Sequence, residues 1–409
     1  MLRRIQRRIA RTFSEPAADM PADLVYAPPL ALPHIAPDEM WTCDAPLAVA
    51  VAPPGTPRPI VRPKILFHDD PGGVGLLPDA GPYTFTLPPS FVVAARRVFQ
   101  VGFRSYVTRD GRLFTDESHA PGAEQERFAA ALFSGDPFRN EYTGLTAGGR
   151  PGAFRIDPKA QRVEKLDGGV VSLVSLEGPN YGSFLFRVVP KLIGREAWPD
   201  DWRVLVPWLG RTMIDLLGML GLAEEHLVLQ RRDVVYDIER AAIPSFRTAH
   251  AMLDAEAVAL FDEIAARYAD PSAGERLFVS RRGWNPEGSG ARVMLNEAEI
   301  AEALEAEGFE TILPHEMSMA DQIRRFASAR IVVGAAGSAM FNTVFCRPGT
   351  IVVDIESEPH WIAAHMNLFG SRGLAYGVFE GETMNRDWDT PHKPFWVDAK
   401  ALVARVRSL

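Results

Sequence analysis

The chain has 409 residues, which is long for one core and comfortable for two domains. Its composition, 47% hydrophobic and 23% charged, is that of an ordinary soluble globular protein, and a formal charge of −8 argues against bulk nucleic-acid binding, which favours basic faces. The two cysteines, Cys43 and Cys346, are far apart and lack metal-ligand spacing, so the sequence implies neither a disulfide framework nor a metal site, and the default compartment is reducing and cytoplasmic.

No run of about 18 apolar residues is present to span a membrane. The opening residues, MLRRIQRRIARTFS, place Leu2, Ile5, Ile9 and Phe13 at helical spacing with Arg3, Arg4, Arg7, Arg8 and Arg11 on the other faces. This pattern predicts a short basic amphipathic helix over 1–14, suited to an anionic membrane surface; the same stretch resembles an organelle transit segment, and a solvated terminus fits it equally. Residues 15–60, rich in proline and alanine with Pro28-Pro29 and Pro53-Pro54, read as an extended arm with little regular structure. From 61 to 120 come short β-like runs, PYTFTLP, RRVFQVGFRSYVT and GRLFTDE, and Thr108-Arg109-Asp110-Gly111 predicts a hairpin turn.

From about 165 the pattern becomes α/β. Strands are expected at 170–176, 202–207 and 226–230, with a helix starting in NYGSFLFRVVPKLI and another in RTMIDLLGMLG. A long helix over about 254–269 leads to a second set: strands at 276–280, 309–314 and 331–334, and helices at 296–308, which Asn296 is placed to cap, and 318–329. A helix near 359–369, a strand near 374–379 and a last helix over 396–409, with Val397, Leu402, Val403 and Val406 on it, complete the chain. No period of 20–50 residues indicates a repeat protein. Alternating strands and helices imply mostly parallel sheets with right-handed crossovers, and two such sets imply two Rossmann-like doubly wound lobes. The expected divisions are 1–60, helix and arm; 61–250, a β-rich extension with the first lobe; 251–390, the second lobe; and 391–409, the C-terminal helix.

Three constellations carry chemistry. In IVVGAAGSAMFNTVFCRPGTIVVDI, residues 331–355, a β-branched run ends at Gly334, Gly337 follows, and a short helix begins almost at once. Glycines permit a sharp turn and close backbone approach, and helix-start N–H groups suit an anion such as phosphate. Ser338 either caps that helix or bonds a phosphate oxygen, and Asn342, one turn further, reaches a ligand or steadies the turn. The turn is not G-x-G-x-x-G, and tight packing alone explains many G-x-x-G turns. The second constellation, Ser280-Arg281-Arg282 after a predicted strand, offers two guanidiniums for a diphosphate or is an arginine-bearing surface loop. The third, Asp354 and Glu356 at a strand end, suits ribose hydroxyls or is a pair of solvated acids.

SRR, RVMLNEAEIAEAL and GFETILPHEMSMADQIRRFASARIVVGAAGSAMFNTVFCRPGTIVVDI, in that order, resemble glycosyltransferase family 61, a group of capsular-polysaccharide and glycan-building enzymes. Upstream, GPNYGSFLFRVVPKL is similar to the family's Asn-Tyr-x-His-Trp-(x)n-Pro-Arg segment, and the likeness covers about 170–380. The resemblance implies a GT-B fold, a nucleotide-sugar donor on the C-terminal lobe, a glycan acceptor on the N-terminal lobe, and inverting transfer without metal or other cofactor. Combined with the three constellations, this gives Arg281, Arg282, Gly334, Gly337, Ser338, Asn342, Asp354 and Glu356 as the expected donor residues, and Asn180 and Ser183 as the expected catalytic edge.

The chain also departs from the family pattern. Ser183 stands where relatives often carry histidine, Arg187 where they carry an acid, and Ala336 where some have histidine. Serine is a poor base for an acceptor hydroxyl, which leaves Glu177, His315, His360 and His365 as other candidates. Asp387-Trp388-Asp389 has metal-binding spacing but sits in a proline-flanked polar stretch and reads as a loop. The expectation is a glycosyltransferase, cytoplasmic or peripheral at the inner membrane face, with a lipid-linked acceptor reached through residues 1–14. The competing readings are a non-catalytic nucleotide-sugar or glycan-binding protein that has lost its base, and a Rossmann methyltransferase, which the missing glycine-rich loop disfavours.

Overall fold

The computed structural model describes residues 13–14, 20–21, 23–51, 65–68, 89–117, 144–148, 153–157, 162–231, 233–248, 251–270, 272–283, 293–357, 362–383 and 393–409. The chain divides into two units, Met1–Thr56 with Pro88–Arg247, and Pro57–Leu87 with Thr248–Leu409.

In chain order the strands begin with β1 (Phe13–Ser14), β2 (Val25–Tyr26), β3 (His34–Ile35) and β4 (Leu47–Val51) in the first unit; β5 (Ile65–His68) belongs to the second. The first unit continues with β6 (Phe91–Val101), β7 (Ser105–Thr108), β8 (Arg112–Phe114), β9 (Leu145–Ala147), β10 (Phe154–Ile156), β11 (Arg162–Ser172), β12 (Arg203–Val206), β13 (Leu227–Leu229) and β14 (Val234–Pro244). Its main sheet runs β13-β12-β11-β14-β6-β7-β8-β2. The four strands β13, β12, β11 and β14 are parallel, while β6 pairs antiparallel with β14 from Gln100↔Tyr236 to Val92↔Pro244. The expected doubly wound first lobe is therefore a mixed sheet. The β-rich extension is fused to the parallel strands through β14 and β6, and only residues 230–233 link β13 to β14, too few for a crossover helix.

Two further expectations are corrected in this unit. The proline-rich arm is not structureless: β4 pairs antiparallel with β6, Val49 opposite Val93, and both side chains are fully buried in a core shared with Val170, Leu205 and Tyr236. Prolines at 46 and 53 mark the ends of a run, LAVAV, that is small and apolar enough for a sheet interior. The amphipathic helix expected over 1–14 does not include its last two residues, since Phe13 and Ser14 pair antiparallel with Glu164 and Val163; the rest lies outside the described residues. The hairpin at 108–111 forms as expected: β7 and β8 are antiparallel, and Gly111 has φ +84° with its N–H on Thr108 O.

The second unit is built from β15 (Arg276–Val279), β16 (Glu310–Ile312), β17 (Ile331–Ala335), β18 (Ile351–Glu356) and β19 (Ala375–Glu380), with β5 on the edge beside β19. All pair in parallel, in the order β16-β15-β17-β18-β19-β5. Counting from β15, the first five follow the doubly wound order 2-1-3-4-5, which reverses direction between β15 and β17. Their continuous β-branched runs fit a sheet covered on both faces. Phe278, Val333 and Val353 pack with Ile300 and Leu304 of the helix Glu297–Glu305 and with Leu402 and Val406 of the helix Ala399–Arg407. Leu277, Val332 and Val352 alternate to the other face and are fully buried. The helix Ala255–Tyr268 packs on the helix Met319–Ser328, and both start at caps readable in the sequence: Asp254 accepts from Ala257 N–H and Ser318 from Asp321 N–H. Asn296 does not cap its helix through its side chain; its amide bonds the backbone of Val397 in both directions instead. A short pair, β20 (Glu382–Thr383) with β21 (Phe395–Trp396), closes the element list.

Candidate functional site

The reversal of strand order in the second unit brings two of the sequence constellations together. β15 and β17 are neighbours with Val279 opposite Gly334, so Ser280-Arg281-Arg282 and Ala336-Gly337-Ser338 leave the sheet side by side at its carboxyl edge. This is where ligands bind in open α/β sheets. After β17 the chain turns at Gly337, φ 157° and ψ −174°, directly into the 3₁₀ helix Ser338–Phe345. Gly337 is the N-cap residue, so Ser338 is the first residue inside the helix rather than its cap. Gly337 is buried and Ser338 half-buried. Gly334 has a packing role: a Cβ there would lie 2.7 Å from Met340 Sδ and 2.9 Å from Val279 Cβ.

In the loop after β15, Arg281 is half-buried and Arg282 exposed. The direction of their loop is set by a residue the sequence reading passed over. Glu297, first in its helix, accepts from Ser280 Oγ at 2.8 Å and from Arg281 N–H at 2.6 Å, and Ser280 Oγ in turn accepts from Arg282 N–H at 3.1 Å. A carboxylate at a helix start also complements the helix dipole. Its signal was present in LNEAEI, an acid three residues after a strand-following loop, but its target could not be read from spacing. Two guanidiniums beside a helix N-terminus can neutralise a doubly charged diphosphate.

The remaining residues expected at the donor lie inside the fold. Asn342 is fully buried and donates to Gln322 Oε1 at 3.0 Å, and Gln322 donates to Pro314 O at 2.7 Å, which ties the 3₁₀ helix to its neighbour. Asp354 is fully buried, with Oδ2 held by His365 Nδ1 at 2.6 Å and Tyr376 OH at 3.0 Å. Burial, and secondarily Asp354, pushes the Tyr376 hydroxyl well above its usual range. Glu356 is 2% exposed and accepts from Ser357 N–H. His365, a candidate base, is thus part of a buried staple between β18, β19 and the helix Ile362–Ser371. His315 lies beside the arginine loop, its ring 3.7 Å from where a Cβ on Gly283 would stand. His360 and Asp387-Trp388-Asp389 fall outside the described residues, and among those described no three acidic, histidine or cysteine groups are placed to hold a metal.

In the first unit, Asn180 and Ser183 open a helical segment after β11 that is not one regular helix. Tyr181–Ser183 is a single α-turn, Phe184–Val188 is π-helical and Val189–Leu192 is 3₁₀. Pro190 contributes by removing one N–H donor. Asn180 Oδ1 accepts from Ser183 N–H, and Ser183 Oγ donates to Glu177 Oε2 at 3.1 Å. Glu177 is half-buried and has φ +55°, a conformation that side chains with a Cβ avoid. Ser183, expected at the catalytic edge, is therefore in contact with a carboxylate.

Beneath this edge lies an ionic cluster that sequence reasoning missed. Lys191 Nζ and Ser175 Oγ both contact Asp116 Oδ2, at 2.8 and 2.6 Å, and Lys191 donates to Val174 O; Asp116 and Lys191 are essentially unexposed. Burial pushes the Lys191 ammonium down, and the Asp116 charge opposes that shift. Nearby, Glu117 Oε1 takes Arg104 at 3.0 Å and Arg187 at 3.5 Å, and the Arg187 guanidinium lies 4.6 Å over the Phe246 ring. Arg187 is thus paired with an acid.

The Glycosyltransferase 61 family model matches residues 181–353, the family whose motifs this chain resembles; the matched region runs from the turn at Ser183 through the arginine loop and Gly337 to β18. Comparison with curated proteins gives no match. No helix among the described residues is long and apolar enough to cross a membrane.

Proposed function

Taking the family 61 match as its premise, we propose that this glycosyltransferase moves a sugar from a nucleoside-diphosphate donor to a glycan acceptor, inverting the anomeric centre and using no metal. The proposed arrangement is of GT-B type, with the donor on the second unit and the acceptor on the first. The observation that supports the reading is the adjacency of β15 and β17, which brings the loop bearing Arg281 and Arg282 and the Gly337–Ser338 helix start to one edge of the sheet. As the bond from the anomeric carbon to the diphosphate breaks, negative charge grows on the leaving oxygens. Fixed guanidiniums and helix-start N–H groups favour that charge more than the ground state.

The acceptor hydroxyl must lose its proton as its oxygen attacks. Ser183 cannot hold that proton at neutral pH, and the proposed base is Glu177, with Ser183 as a positioning residue that fixes Oε2 and Asn180 bracing the turn. Neither Asp354 nor Glu356 is assigned to ribose, since both are buried. The acceptor is proposed to be lipid-linked, with the arginine-rich residues 1–12 drawn to an anionic membrane face.

Calorimetric titration of uridine and guanosine diphosphates tests the donor site. Arg281→Ala and Arg282→Ala are each expected to weaken binding by about 1.5–3 kcal/mol, the value of a charge-assisted hydrogen bond. Unchanged affinity in both, with melting temperatures intact, removes the arginines from the site and with them the donor assignment.

A further inference from the structure

The loops after β11 and β12 hold a second recognition feature. The two strands are parallel neighbours, Ser172 opposite Leu205, and Leu173 N–H extends the pairing to Leu205 O at 2.8 Å. Beyond the strand ends the loops stay in contact: a Cβ on Gly178 would lie 2.4 Å from Pro207 Cγ. Only glycine lets the Glu177-bearing turn sit this close to the Pro207-Trp208 turn. Pro207 and Leu209 are buried, yet Trp208 between them is 53% exposed. Trp208 thus presents a flat apolar surface to solvent from a backbone held by two buried neighbours. In the adjoining turn, one residue before Gly178, Glu177 is held with φ +55° and with Oε2 on Ser183, a conformation costing about 1–2 kcal/mol that the surrounding turn maintains.

We infer that Trp208 and Glu177 form a subsite for a neutral pyranose, the terminal ring of the acceptor. A pyranose has one face of axial C–H groups and an equatorial rim of hydroxyls. The indole matches the first through dispersion, and the carboxylate accepts from the second. The carboxylate also selects against acidic sugars and phosphorylated rings, which it repels. The inference rests on the proposed glycosyl transfer and gives that reaction its acceptor class. It places one hydroxyl of the stacked ring on the group assigned as base.

Saturation-transfer NMR on the full chain, with uridine diphosphate present, tests this using methyl β-glycosides of glucose, galactose, mannose and xylose. Transfer to the ring C–H protons of at least one glycoside is expected in the wild type. Trp208→Ala should lower its affinity at least tenfold, Trp208→Phe should retain part of it, and Glu177→Gln should weaken it severalfold. Trp208 is a surface residue, so a circular-dichroism melt should show Trp208→Ala folded, and its diphosphate affinity should be unchanged. Absence of transfer to every glycoside, or equal transfer in wild type and Trp208→Ala, overturns the subsite. Loss of the donor reading would appear separately, as arginine variants that bind the diphosphate normally.

Discussion

The two carboxyl edges set their cationic side chains in different surroundings. In the second unit Arg282 is exposed and Arg281 half-buried, in the loop that follows β15. In the first unit Lys191 and Asp116 are sealed against each other with Ser175 and a backbone carbonyl completing the set. A cation kept near water can be lent to a ligand. A cation stripped of water must be matched by its own protein, because its desolvation leaves an unpaired charge several kcal/mol too high. Burial, rather than residue identity, separates the two settings, and Asp354 shares the buried one.

The buried pair should give the largest effect. Lys191→Met leaves Asp116 charged and unexposed, and breaking such a pair costs about 3–5 kcal/mol. Lys191→Met with Asp116→Val removes both charges and should restore most of the loss. Urea unfolding of wild type, single and double variants measures this. A single variant within about 1 kcal/mol of wild type would mean that the first edge tolerates a lone charge, and the contrast between the edges would fail.

Asp354 sharpens the comparison from inside the second unit. Asp354→Ala strands His365 and Tyr376, and leaving buried polar groups unsatisfied costs about 1–3 kcal/mol each. Stability should fall while affinity for uridine diphosphate stays within about twofold of wild type. A fall in affinity with the melting curve intact would return Asp354 to the ribose.

The second unit was largely legible in the sequence because its signals are local. Parallel strands buried on both faces must be β-branched runs, as IVV at 331–333 and at 351–353 are, and Asp254 and Ser318 announce their helices. The placing of SRR beside Gly337 was also recoverable, since both follow strands. What was not legible is long-range. β4 is read as an arm because nothing in LAVAV names β6 as its partner, and β5 crosses to the second unit's sheet over residues with no pairing code. The roles of Asp354, Asn342 and Lys191 depend on which side chains close over them, and that follows from the whole packing. The exposure of Trp208 is equally a tertiary fact.

The smallest effect is expected at Ser183, and it decides which residue of the first edge removes the proton. Its hydroxyl reaches Glu177 Oε2, so Ser183→Ala deletes one hydrogen bond worth about 0.5–1.5 kcal/mol and should slow transfer by about 2–10-fold. Glu177→Gln removes the base itself and should cost about 10²–10⁴-fold. Ser183→His separates the alternatives, because an imidazole can hold the acceptor's proton near neutral pH. If the chain has only lost the family's histidine, restoring one should raise the rate. If Glu177 is the base, the ring enters a position only 4% exposed, displaces the hydrogen bond that fixes the carboxylate, and lowers the rate. Release of nucleoside diphosphate from a panel of nucleotide sugars, compared across the three variants and wild type, reads the difference. A Ser183→His enzyme faster than wild type would assign the base position to residue 183. A Glu177→Gln enzyme as fast as wild type would remove Glu177 from catalysis and leave its contact with Ser183 as a structural feature of the turn.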